Sequence, residues 1–137
     1  RRCHGHGLRR LAFGRHGALG SSVAHDSHNL IIAGTNPSDM LVCVRALARS
    51  GGGFVAAADG QVLAELPLSV AGLMSTADVH TVRHQLQQLH AAAQTLGCPL
   101  PSPFAVLSFL PLPVIPELRV TPRGLFDVGK QQFVLIP

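Results

Sequence analysis

The chain has 137 residues, 47% hydrophobic and 13% charged, with a net charge of +4. That length suits one domain with a real core, and the composition is far from that of a disordered chain. No apolar run approaches the roughly 20 residues of a membrane span, and with Trp and Tyr absent and only 6 Phe base-stacking platforms are too scarce for a single-strand nucleic-acid binder.

Residues 1–17 read as a basic Gly/His/Arg-rich linker carrying Arg1, Arg2, Arg9, Arg10 and Arg15. A basic arm can neutralise phosphates, but a solvated linker is the plainer reading of such a charge run. Leu8, Leu11, Ala12 and Phe13 could make a short strand. His4 and His6 form an H-x-H pair, a metal pattern when it ends a barrel strand; here no apolar strand precedes it. The segment has no signal-peptide core and no initiator Met, which suggests the tail of a longer protein. Cys3, Cys43 and Cys98 are odd in number and widely spaced. They suit a reducing cytoplasm rather than a disulfide framework or zinc ribbon.

The domain proper is expected over 18–137. Residues 18–33 read as strand, polar loop, strand. Asn36 can cap a helix over 37–49, with Pro37 at its first position and Asp39 three after the cap. Met40, Leu41, Val44, Leu47 and Ala48 are expected on its inner face. Cys43 is most simply a core residue. Gly51-Gly52-Gly53 follows this helix, so it reads as a cap and turn rather than a phosphate loop, which would precede one. Asp59-Gly60 between 54–58 and 61–66 is a two-residue hairpin signal. Residues 68–74 read as an apolar turn packed on the core.

A second helix is expected after Ser75, which with Asp78 resembles a capping box. Val79, Val82, Leu86, Leu89, Ala93 and Leu96 recur at helical spacing, and Gly97 and Pro99 stop it. His80 and His84 are i, i+4 neighbours, but a solvated polar face explains them better than a metal site. The segment 99–116 is studded with prolines. Residues 104–110 can be a strand there, and 118–120 and 132–136 are short terminal strands around a turn at 122–124. The fold class is therefore α+β, with a mixed or mainly antiparallel sheet and two principal helices packed on one face.

The chemistry concentrates in one loop, where Ser21, Ser22, His25, Asp26, Ser27, His28 and Asn29 adjoin the apolar run Leu30-Ile31-Ile32-Ala33. Polar groups at the end of a core strand are held in place and can act on a ligand. The residues allow a partial metal site of His25 and His28 with Asp26, or acid–base chemistry with Asp26 orienting a His. They equally allow a structural loop of turn-capping hydroxyls and a packed imidazole.

Residues 20–29, Gly34-Thr35-Asn36, Asp39-Met40, Gly51-Gly52-Gly53, Asp59-Gly60, 62–68 and 71–75 resemble the C-terminal domain of the bacterial adenine deaminases. So do 107–110, 112–118 and Gly124-Leu125. The likeness runs in unbroken order over about residues 8–137; Pro37-Ser38 departs from it, standing where the family has an acidic pair. The resemblance implies an amidohydrolase-superfamily enzyme with a metal-dependent (β/α)8 barrel. Such an enzyme hydrolyses adenine to hypoxanthine and ammonia in purine salvage, and manganese or iron activates the water. The strand-borne H-x-H of that barrel has no match here, so the metal ligands are expected mainly on a barrel absent from this chain. The implied role is an accessory domain that packs on the barrel, with the 25–29 loop helping to enclose adenine. The implied assembly is a cytoplasmic homo-oligomer that binds neither membrane nor nucleic acid. The alternatives are a purely structural or interface domain, a small stand-alone metallohydrolase built on His25, Asp26 and His28, and a basic nucleic-acid module.

Overall fold

The computed structural model describes residues 16–25 and 29–134. The basic arm, the His4/His6 pair, Cys3 and the possible strand at 8–13 lie outside those residues, as do Asp26, Ser27 and His28. Among the described residues no helix is long and apolar enough to cross a membrane.

Strands β1 (Ala18–Ser21), β2 (Ile31–Gly34), β3 (Gly53–Ala58) and β4 (Gln61–Pro67) form one antiparallel sheet in the order β2-β1-β3-β4. Asp59 and Gly60 both take positive φ, 52° and 75°, and close the β3–β4 hairpin as expected. The register pairs Ser21 with Ile31 and with Phe54, and Gly53 with Pro67. One end of the sheet therefore gathers the segments around residues 22, 30, 52 and 68.

Helix α1 (Pro37–Ser50) begins where Asn36 predicts. The Asp39 N–H donates to Asn36 Oδ1 at 2.8 Å, and Asn36 Nδ2 donates to Asp39 Oδ2 at 2.7 Å. The helix ends at Gly51, whose φ is 74°. Its inner face differs from the expected one: Asp39, Cys43, Ala46 and Leu47 are buried, whereas Leu41, Val44 and Ala48 are exposed. Asp39 turns inward because its Oδ1 also accepts the Gly60 N–H at 2.9 Å, which ties the helix start to the hairpin. The small Cys43 and Ala46 let the helix sit close on Ala18, Val55 and Ala57.

Helix α2 (Val79–Thr95) has the expected core face from its second turn on, with Leu89 and Ala93 buried and Val82 and Leu86 packed beside them; Val79, expected on that face, stands 73% exposed because it opens the helix before the face reaches the sheet. Its cap is Asp78, which accepts the His80 and Thr81 N–H groups; Ser75 instead accepts from Ala77. The strand expected over 104–110 is in fact helix α3 (Pro103–Phe109). Proline suits the first helical turn, where its missing N–H costs nothing, and the helix stops before Pro111. Phe104, Leu107 and Ser108 are buried at helical spacing.

The α+β class holds, and every strand pairing is antiparallel. The helices, however, cover both faces rather than one. Val55 and Ala57 of β3 face α1, while Ala56 and Ala58 join the core with α2 and α3. An uninterrupted apolar strand such as 54–58 is what a sheet covered on both sides requires. A second sheet, β5 (Leu118–Thr121), β6 (Gly124–Asp127) and β7 (Gln132–Val134) in that order, follows α3. Strands β5 and β7 fall where the sequence predicts them, whereas β6 carries no strand signal of its own.

Candidate functional site

The polar loop leaves β1 at the collecting end of the sheet. Ser21 is fully buried, and its hydroxyl bonds its own turn, accepting the Val23 N–H at 2.9 Å and donating to Val23 O at 3.2 Å. Ser22 is also buried. Its Oγ accepts the Gly53 N–H at 2.7 Å and donates to Gly72 O at 2.6 Å. This one hydroxyl joins β1, the glycine turn after α1 and the turn after β4. The approach is close: a Cβ on Gly52 would stand 2.5 Å from Gly72 Cα and 2.7 Å from Ser22 Oγ. Both hydroxyls are thus engaged by backbone.

His25 is exposed. Its N–H donates to Ser108 O at 3.2 Å, and its ring lies 4.6 Å from the Phe109 ring at 46°. The C-terminal end of α3 therefore carries this imidazole. Asn29 is half-buried and lines a groove of about 330 Å³ with Leu30 and Ile31. The opposite wall is Pro111, Val120, Thr121 and Pro122. The Val120 N–H donates to Leu110 O at 3.3 Å, which seats β5 beside the end of α3. The structure thus brings His25 and Asn29 to one surface beside two locked serines. The contact of Phe109 with His25 is hidden in the sequence because proline spacing suggests a strand over 104–110. The strand β5 is legible, but its place beside Asn29 has no sequence signal, since β5 lies about ninety residues from Asn29.

Among the described residues no three His, Cys, Asp or Glu side chains converge on a point that could hold a metal ion. His80 and His84 stand exposed on α2. The described residues thus do not fit a manganese or iron centre. Cys43 is sealed under α1, and burial pushes its thiol up to about 12. The Gly60 N–H, then the Asn36 amide, hold the Asp39 carboxyl below its ordinary value. These two groups serve the core, not the loop.

An antiparallel sheet between helices, with its polar loop held by backbone bonds at one end, defines a small α+β domain of scaffold and surface. The family model described as the adenine deaminase C-terminal domain matches residues 4–132, and the chain belongs to that family. An adenine deaminase of Methylobacterium nodulans is 52% identical over 130 residues, covering 95% of this chain and 22% of the relative. That of Gluconobacter oxydans is 53% identical over 120 residues, covering 88% and 21%. That of Dehalococcoides mccartyi is 51% identical over 134 residues, covering 97% and 23%. The chain thus spans about a fifth of the length of the curated relatives it matches.

Proposed function

We propose that this chain serves as the C-terminal domain of an adenine deaminase acting in purine salvage in the cytoplasm. The enzyme adds water to adenine and releases hypoxanthine and ammonia. The observation that carries this reading is the identity of about half the residues, over nearly the whole chain, to proteins named adenine deaminase. The catalytic barrel and its manganese or iron are assigned to the remaining four-fifths of such an enzyme, which lies outside the matched region. In this division His25 and Asn29 face the catalytic portion and help enclose adenine. Asp26, Ser27 and His28 lie between them in the sequence.

The test is hypoxanthine formation from adenine with manganese or iron present. The chain is assayed alone and co-expressed with the catalytic portion of the Methylobacterium nodulans relative. The reading expects no turnover alone and turnover together; the mass of the active species also shows whether it is a homo-oligomer. Robust turnover by the chain alone would overturn the division of labour and favour a self-contained metallohydrolase. Within the active pair, alanine at His25, Asp26 or His28 should lower kcat/KM without unfolding the domain. The backbone bonds of Ser21 and Ser22 favour a second, purely structural reading of the loop. That reading predicts full activity for all three alanine variants.

A further inference from the structure

We propose that the end of the four-stranded sheet that carries the polar loop is the surface on which the catalytic portion of the deaminase seats, with the groove between β2 and β5 as its anchor point. The proposal rests on the reading above and adds which face is covered and by what chemistry.

Residues 17–25, 50–58, 66–77 and 99–116, which build this end and the layer behind it, contain no Asp, Glu, Lys or Arg. At the same end Leu30, Val70, Leu73, Met74, Phe109 and Val120 are all exposed, Met74 by 60%. Their positions follow from the fold. Leu30 precedes β2, the 70–74 turn is pinned through Gly72 to Ser22, and Phe109 and Val120 flank Leu110. Exposed apolar side chains set among such segments, with Asp26 and Arg119 the ionic residues nearest in sequence to Leu30 and Val120, form a charge-poor surface of the kind found in interface cores, and water solvates it poorly.

The outer faces of α1 and α2 differ, although single apolar side chains such as Leu63 and Val79 are exposed elsewhere too. Leu41 and Val44 on the outer side of α1 alternate with exposed Arg45 and Arg49, and Arg49 pairs with Glu65 at 3.2 Å. The outer face of α2 carries His80, Arg83 and His84. Those faces are solvated in the ordinary way. The occupant of the charge-poor end is then a large, apolar, charge-poor surface on the same enzyme. The relatives supply it, because about four-fifths of their length lies outside the matched region. The groove of about 330 Å³ has apolar walls and two polar side chains, Asn29 and Thr121, at its rim. It fits an apolar side chain of that portion, whose neighbouring backbone can meet the amide and the hydroxyl.

The experiment measures binding of this chain to the separately purified catalytic portion of the Methylobacterium nodulans relative, with hypoxanthine formation followed in the same mixtures. Val120→Asp and Met74→Asp are compared with Leu41→Asp and Val44→Asp. Wild-type chain should bind and restore turnover. Each of the first pair should weaken binding at least about tenfold, and the α1 pair should stay within about twofold of wild type. Met74 is mostly in solvent, so its variant tests the surface without disturbing the core. If the α1 variants abolish binding while Val120→Asp and Met74→Asp bind as wild type, the surface is wrong although turnover still upholds the functional reading. If wild-type chain neither binds nor restores turnover, both fail.

Discussion

Replacing Ser22 by alanine removes one oxygen and no volume of consequence, so its effect reports almost purely on hydrogen bonding. The Ser22 hydroxyl accepts the Gly53 N–H at 2.7 Å and donates to Gly72 O at 2.6 Å. Both contacts are buried. Alanine leaves a donor and an acceptor unsatisfied, and each costs about 1–3 kcal/mol. A loss of about 2–6 kcal/mol follows, which for a domain of this length lowers Tm by roughly 8–24 °C. Urea unfolding followed by circular dichroism measures it, with an unchanged m-value showing that both end states are comparable. Ser21→Ala, whose hydroxyl bonds only its own turn, should cost about 1 kcal/mol. A Ser22→Ala loss below about 0.5 kcal/mol would refute the account. Unchanged stability with lost deaminase turnover in the assembled enzyme would assign the hydroxyl to chemistry instead.

The glycine turn should rank by what a methyl group meets. At Gly53, φ is 143° and a Cβ would run into the Leu66 carbonyl, whereas at Gly51 nothing lies within 4 Å. Gly51→Ala should therefore cost about 1 kcal/mol of left-handed strain and Gly53→Ala clearly more, as read from thermal melts. Asp39 carries a pH dependence. Its folded pKa lies below the ordinary value, so its contribution is complete above about pH 4 and is lost as pH falls through the folded value. Urea midpoints between pH 6 and pH 2.5 should fall more steeply for the native chain than for Asp39→Ala. Because burial pushes the Cys43 thiol up to about 12, iodoacetamide at pH 8 should leave the Cys43 peptide unmodified in the folded chain and modify it in urea.

Local chemistry explains what could be read directly. The Asn36-Pro37 start of α1, the Asp59-Gly60 hairpin, the glycine stop after α1 and the inner face of α2 each depend on residues within a few positions of one another. Backbone sterics and capping bonds settle such features before any tertiary contact forms. Two further signals were present but outweighed. Phe104, Leu107 and Ser108 have helical spacing, which the surrounding prolines obscured, and the unbroken apolar run 54–58 marks a sheet covered on both faces.

The candidate site shows the limit most clearly. Its residue types and its place beside a core strand were legible at Ser21, Ser22, His25 and Asn29, and the family resemblance was carried by the same stretch. Which side chains are locked and which are presented was decided only in three dimensions. Ser22 meets a carbonyl fifty residues away, His25 lies against a ring contributed by α3, and Asn29 faces a wall built by β5. Asp39 likewise turned inward because a hairpin N–H more than twenty residues on needed an acceptor. Sequence by itself determined α1, α2, the β3–β4 hairpin and the family, since these reside in local order, whereas α3 and β6 emerged only in the folded chain. The tertiary structure alone decided the roles, because a hydroxyl or an imidazole takes its function from partners that only the folded chain brings within hydrogen-bond reach.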